Sequence, residues 1–291
     1  MTMKISRILV LTDFSESGKA AEQTGIYLAQ TLNSQLTFMH TIDAPAGWDH
    51  LNFGGDNTFL KNPDSLSAAF PELKVAIQEA RDHFNKLAEH TAASGVKCDT
   101  EILFDRSFED IEELTERENA QLLVLGMAGA GNKKFGSSAK TVLRRTKVPV
   151  VFVREVPINH IDNFYIATDY KDAKRIKSIM HMLGDFAGQF KLNPELLYVN
   201  TPIDFKNSEE LEKLKTDFLN KTELNDVQTA EINDYHVYEG IAKFREKQTQ
   251  TSLCAVINKK QSGLNYFLHN SKTEELLKNF IKPVLVVKEM E

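Results

Sequence analysis

Between the apolar run "QLLVLG" and the helix-like segment that ends at Arg145, the chain reads "GMAGAGNKKFGSSAKT". Gly126, Gly129, Gly131 and Gly136 lie close together there, and Ser137 and Ser138 follow them. Glycines let backbone N–H groups approach phosphate oxygens with no Cβ in the way, and hydroxyls at a helix start add donors where the helix dipole favours an anion. Lys133 and Lys134 could reach in as point charges. The plainer alternative is that these glycines only carry the chain out of a buried strand, and at this stage both readings stand. Asp13, at the end of "RILVLTD", is the second candidate, because a short carboxylate at a strand end can accept from an amine or a ribose hydroxyl.

Standard motifs do not absorb the loop. "GNKKFGSS" has Walker A glycine spacing, but Ser137 stands where the lysine belongs, and no dinucleotide GxGxxG is present. Other chemistries find less support. The eight histidines form no HExxH and no tight metal spacing, so His83 and His90 read as solvated or packed side chains and no metal site is expected. No GxSxG elbow occurs, and Cys98 and Cys254 belong to no CxxC, which leaves them as structural thiols. Glu109, Asp110, Glu112, Glu113, Glu116 and Glu118 read as the solvated face of one helix. No catalytic residue is expected.

The elements that must position the loop repeat along the chain. "RILVLTDFS" at Arg7–Ser15 recurs as "FYIATDYKD" at Phe164–Asp172, and "TKVPVVFVRE" at Thr146–Glu155 recurs as "FIKPVLVVKE" at Phe280–Glu289. This predicts two domains, 1–155 and 160–291, joined near Arg154–Asp162. The first is longer by about 22 residues, and Ala44 to Pro71, rich in Gly, Pro, Asn and Asp and holding the single Trp48, reads as an insertion between a strand and the next helix.

Within each domain, apolar strands alternate with helices. In the first, "SGKAAEQTGIYLAQTL" has helical spacing at Ala20, Thr24, Tyr27, Leu28 and Leu32, and a later helix places Val75, Ile77, Ala80, Phe84 and Leu87 on one face and ends at Gly95. Short strands that are apolar throughout need a parallel sheet covered on both sides. Each half is therefore expected to be a doubly wound α/β unit with five parallel strands, and a ligand would sit beyond the strand ends where the strand order reverses. The two final strands, "VPVVFV" and "PVLVV", are candidates to pair with each other or with another chain.

The formal charge is −6 with no long run of one sign, so neither nucleic acid nor an anionic membrane is an expected partner. The apolar core near the start, Ile8 to Leu11, is too short for a signal peptide, and no stretch reaches the length of a membrane span. The expected location is the cytoplasm.

With "LVLTDFSE", "LLVLGMAG", "GSS" and "VPVVFV" in view, the chain resembles a tandem universal stress protein. Gly126, Met127, Ala128 and Gly129 match the opening of that family's ATP-binding pattern and Gly136-Ser137 its close, with a shorter segment, Ala130 to Phe135, between them. The resemblance implies a Rossmann-like fold of the adenine nucleotide alpha hydrolase type and an internal pseudo-dimer. It places Asp13 near the adenine or ribose, backbone around Thr12 and Ile42 along the base, Gly126 and Gly129 by the ribose and phosphates, and Gly136, Ser137 and Ser138 on the phosphates. ATP, ADP or AMP is the implied ligand of the first domain, with Mg²⁺ only alongside nucleotide. A homodimer through the last strand and an unknown protein partner are also implied.

The second half keeps Asp169 where the first has Asp13 but loses the glycines: Asn258 and Gln261 replace Gly126 and Gly129, and His269-Asn270-Ser271 replaces the closing Gly-Ser. Lys259 and Lys260 leave room for an anion. Asp169 reads as a turn or cap residue. The alternatives to a nucleotide-binding regulatory module are a scaffold that recruits a partner through the insertion around Trp48 and Phe53, and a weak ATP hydrolase, for which Asp13 is the only evident base.

Overall fold

The computed structural model describes residues 4–43, 63–104, 111–127, 136–224, 227–248, 250–259, 273–278 and 280–289. Gly129, Lys133, Lys134, Trp48, Phe53, Lys260, Gln261 and His269 to Ser271 lie outside them.

The first half runs β1 (Arg7–Leu11), α1 (Glu16–Leu32), β2 (Gln35–Ile42), α2 (Pro63–Ala69), α3 (Leu73–Ala93), β3 (Cys98–Phe104), α4 (Ile111–Arg117), β4 (Leu122–Gly126), α5 (Ser137–Arg145) and β5 (Val150–Val153). The second runs β6 (Asn163–Ala167), α6 (Ala173–Gln189), β7 (Pro194–Asn200), a 3-10 turn at Pro202–Asp204, α7 (Ser208–Thr222), β8 (Gln228–Asn233), α8 (Val237–Lys247), β9 (Ser252–Asn258), a helical segment at 273–278 and β10 (Val284–Lys288).

All ten strands form one sheet in the order β3-β2-β1-β4-β5-β10-β9-β6-β7-β8. Every neighbouring pair is parallel except β5 and β10. The two five-stranded units expected from the repeat are thus present, and their last strands pair with each other. Val151 faces Leu285, flanked by Val150 against Val286 and Phe152 against Val284. Because Pro149 matches Pro283, these are equivalent positions, and a local twofold axis passes through the Val151–Leu285 pair.

The continuous apolar strands are explained by a core on each face. Ile8 and Val10 point into a cluster with Ala21 and Leu28 of α1, Phe84 of α3 and Met180 of α6, while Leu9 and Leu11 point to the other side with Leu114 of α4 and Val142 of α5. Adjacent residues of one strand are therefore all buried.

Capping sets the helix ends. Ser15 accepts from the Gly18 N–H to start α1, Asn33 ends it in the left-handed region, and Asn207 with Glu210 forms a capping box on α7. On α3 the buried face runs Leu73, Ile77, Ala80, Phe84, Leu87, and Val75 is 66% exposed, contrary to its expected place on that face. Leu73 anchors the first turn, and a residue two positions later turns away from it. The far end of the expected insertion is helical: α2 packs on α3, where Arg81 meets Asp64 at 2.7 Å.

Candidate functional site

Strand order reverses about β1, with β2 on one side and β4 on the other, so the crevice of the first half opens beyond the carboxyl ends of β1 and β4. Leu11 and Leu125 are paired across that junction, which sets Thr12-Asp13 beside Gly126-Met127. The two features singled out in the sequence therefore meet.

Each site residue has a definite local role. Thr12 is buried; its N–H donates to the Met39 carbonyl (2.9 Å), and its hydroxyl donates to Glu22 Oε1 (2.6 Å). Asp13 is exposed, and its Oδ1 accepts from the Ser15 N–H (3.1 Å) and the Ser15 hydroxyl. The other carboxylate oxygen has no hydrogen bond to a described residue. Ile42 is buried against Leu73, Ile77 and Ala80, so only its backbone is available to a ligand. Met127 is likewise fully buried in the core.

Gly126 is required by helix packing. A Cβ built on it would lie 2.8 Å from the Ser17 carbonyl carbon and 2.9 Å from its oxygen. The start of α1 thus leans on the end of β4, and this glycine serves that close approach first. The chain leaves through Met127, whose N–H donates to Val153 O (2.7 Å), and returns at Gly136, whose N–H donates to Met127 O (2.9 Å). Met127 and Gly136, the described residues on either side of that segment, are thus hydrogen-bonded to each other.

That tie brings the start of α5 to the crevice. Its N-cap, Gly136, has extended backbone and no side chain to cap the helix, while Ser137 is exposed and Ser138 half-buried. The first amides of α5 lack an intrahelical acceptor and carry the positive end of the dipole. The start of α1, in contrast, is closed by Ser15 and has Glu16 in its first turn. The donor set at α5 therefore fits an anionic group, and Asp13 fits a hydroxyl or amine.

The second half has built the same turn and filled it. Thr168 and Asp169 follow β6 as Thr12 and Asp13 follow β1; Thr168 Oγ1 accepts from Tyr170 N–H (3.1 Å) as Thr12 Oγ1 does from Phe14 N–H (3.1 Å). Phe14 and Tyr170 both hold φ near +60° (61° and 56°), a conformation that non-glycine residues keep only when the surroundings impose it. Asp169 accepts from the Lys171 N–H (3.0 Å), the turn role expected of it, and also binds the Lys259 ammonium at 2.5 Å. Lys171 and Lys206 both bind Asp204 at 2.6 Å and hold its carboxyl down at about 2. The lysines there are satisfied by the protein's own carboxylates.

One group of residues was missed in the sequence. Phe14 lies between two imidazoles, with ring centroids 4.0 Å from His40 and 4.1 Å from His83. His40 Nδ1 donates to the Thr12 carbonyl (2.8 Å), and His83 Nε2 donates to Glu22 Oε1 (2.9 Å), the oxygen that also accepts from Thr12. Burial pushes the His40 imidazole below its ordinary value. Glu22, on the core side of α1, sits at a spacing that predicts burial, and a buried carboxylate requires partners. That was the available signal.

A groove of about 750 Å³ lies at the opposite, amino end of the first half, lined by Arg7, Lys97, Arg117 and Glu118. Its arginines are already paired, Arg7 with Glu118 (3.4 Å) and Arg117 with Glu101 and Glu118. It is on the wrong side of the sheet for the ligand geometry of open α/β folds.

Among the described residues no helix is long and apolar enough to cross a membrane. The universal stress protein family model matches residues 4–154. The stress response protein NhaX of Bacillus subtilis is 29% identical over 168 residues, covering 51% of this chain and 97% of that protein. Universal stress protein MJ0531 of Methanocaldococcus jannaschii is 27% identical over 152 residues, covering 51% and 82%. A universal stress protein structure from Archaeoglobus fulgidus is similar along nearly the full length, covering 99% of this chain and 100% of that one with a TM-score of 0.70 at 16% identity. The chain, with its first half matched by the family model and the same strand order repeated in its second, belongs to the universal stress protein family.

Proposed function

We propose that this protein is a cytoplasmic stress-response module whose first domain, residues 1–155, binds an adenine nucleotide, and whose second, 160–291, is a degenerate partner held against it as an internal pseudo-dimer. The observation that carries this reading is the convergence at the β1–β4 reversal of the strand end that leads into Asp13 with the start of α5, whose N-cap Gly136 donates to Met127 and has no side-chain cap. Asp13 receives the ribose or base, backbone at Thr12 and Ile42 flanks the base, Gly126 and Gly129 adjoin the sugar and phosphates, and Gly136, Ser137 and Ser138 receive the phosphates. Mg²⁺ accompanies the nucleotide only. The output is a change in conformation or association. The nucleotide acts by occupancy; turnover is not part of the proposal.

Calorimetric titration with AMP, ADP and ATP, with and without Mg²⁺, tests it beside Asp13→Ala and Ser137→Asp. The second variant sets a carboxylate where the phosphates bind while favouring the helix start. The proposal requires binding that both variants weaken; no binding by the unaltered protein overturns it.

A second reading, an interaction scaffold without nucleotide, is favoured by a separate observation. Ile203, Phe205 and Tyr235 are 93%, 61% and 75% exposed just beyond the carboxyl ends of β7 and β8.

A further inference from the structure

The local twofold axis of the seam relates α5 to the helical segment 273–278 residue by residue: Thr146 matches Phe280, so Lys140 matches Glu274 and Arg144 matches Lys278. The buried positions agree, with Ala139, Val142 and Leu143 in one and Thr273, Leu276 and Leu277 in the other. Both segments also meet the opposite half alike, since Arg154 donates to the Lys278 carbonyl as Lys288 does to that of Arg144.

Charge breaks this symmetry. Arg144, near the end of α5, reaches across the seam to Glu274, with 2.8 Å between Nη2 and Oε1, and the Glu274 side chain is only 11% exposed. The axis carries that pair onto Lys278 and Lys140, which sets one ammonium opposite another. Glu274 stands one turn before Lys278 on the same segment and would be its ordinary helical partner, but its carboxylate is taken by Arg144. Among the described residues neither lysine side chain has an ion pair or a hydrogen bond.

The place of the two lysines gives them a use. Lys140 lies one turn beyond Gly136, to whose carbonyl its N–H donates (3.1 Å), so Lys278 is brought to the end of α5 that adjoins the open crevice. At the matching place in the second half stands the neutral Arg144–Glu274 pair. The half with the open crevice thus receives an unneutralised cation from its neighbour, while the half with the Asp169–Lys259 bridge receives one that is already paired. Like charges set opposite each other repel, and an anion between them relieves the repulsion while accepting a charge-assisted hydrogen bond from each.

We propose that Lys140 and Lys278 form an anion site across the seam, where one lysine from each half holds a phosphate group. That group is either inorganic or the outer phosphate of a nucleotide, and only the second source rests on the nucleotide reading.

A double-mutant cycle tests the geometry without a ligand. Lys278→Glu should raise the urea midpoint, and should raise it less in a Lys140→Met background, because the introduced carboxylate gains from Lys140; absence of that coupling overturns the proposal. Inorganic pyrophosphate, titrated at fixed ionic strength, tests the site. Lys140→Met and Lys278→Met should each weaken its binding by about threefold, the size of an exposed charge pair. Lys213→Met, which removes the same charge from α7, should leave it unchanged. No binding of pyrophosphate, or binding that all three variants affect equally, overturns the proposal. ADP separates the sources. Weaker ADP binding in Lys278→Met but not in Lys213→Met assigns the group to the nucleotide; ADP binding that ignores Lys278 makes it inorganic and leaves the nucleotide reading intact. Pyrophosphate binding that depends on Lys278, with no ADP binding, upholds the site and removes the nucleotide reading.

Discussion

Asp169 and Lys259 are joined at 2.5 Å across the carboxyl ends of β6 and β9, the equivalents of β1 and β4, which end side by side at Leu11 and Leu125 in the first half. One chain therefore holds the same turn in two conditions, one with its carboxylate presented outward and one with it neutralised by an internal ammonium.

The first consequence is stoichiometric. Titration should give one nucleotide per chain, and Lys259→Met should leave that number unchanged, because Asn258 and Gln261 stand in the second half where Gly126 and Gly129 stand in the first. The pair is half exposed at Asp169, so its loss should cost no more than about 1 kcal/mol in chemical denaturation.

Gly126 should tolerate no side chain. A Cβ would meet the Ser17 carbonyl carbon and oxygen, which cannot rotate away, as well as its Oγ, so Gly126→Ala should lower stability by about 1–3 kcal/mol as an overpacked contact. Urea denaturation reads this directly. Gly184, with open space around its Cα, is the control and should accept alanine without loss.

Across the seam, Arg154 donates to the carbonyls of Leu277 (3.0 Å), Lys278 (2.9 Å) and Phe280 (2.9 Å), and its repeat equivalent, Lys288, donates to the carbonyl of Arg144, the counterpart of Lys278. Each half thus caps the last helix of the other. Arg154 is buried and Lys288 only half-buried, so Arg154→Met should destabilise by about 2–4 kcal/mol through orphaned buried carbonyls, and Lys288→Met by less than about 1. Thermal or urea unfolding of the two variants checks the difference.

His40 sets an acid limb. Burial holds its imidazole low in the folded protein, while in the unfolded chain it titrates near its ordinary value of 6.5. The unfolded state therefore takes the proton first as pH falls, so stability is fully present above about 6.5 and erodes below it until the folded value is passed. His40→Asn should show a smaller drop in urea midpoint between pH 7.5 and pH 5.5 than the unaltered protein.

The fold was legible because it rests on local patterns repeated twice. Continuous apolar strands, Gly95 at a helix end and the matched Pro149 and Pro283 were enough to give the five-stranded units, and they left the last strands to pair either with each other, as they do, or with another chain. The crevice was half legible. Asp13 and Gly126 stand out because strand ends in such sheets converge, but the demand on Gly126 comes from Ser17, a contact set by how α1 leans on β4. Glu22 and His83 lie 61 residues apart and belong to helices that read as ordinary amphipathic segments, so nothing local joins them. Val75 was misplaced by a periodic pattern that extends onto the rim of α3.

The measurement that bears most directly on the central claim is titration of the intact protein with ADP beside Asp13→Ala. One saturable site per chain, weakened at least tenfold in the variant, is the predicted result. No heat of binding from the unaltered protein, or binding that Asp13→Ala leaves untouched, would contradict it.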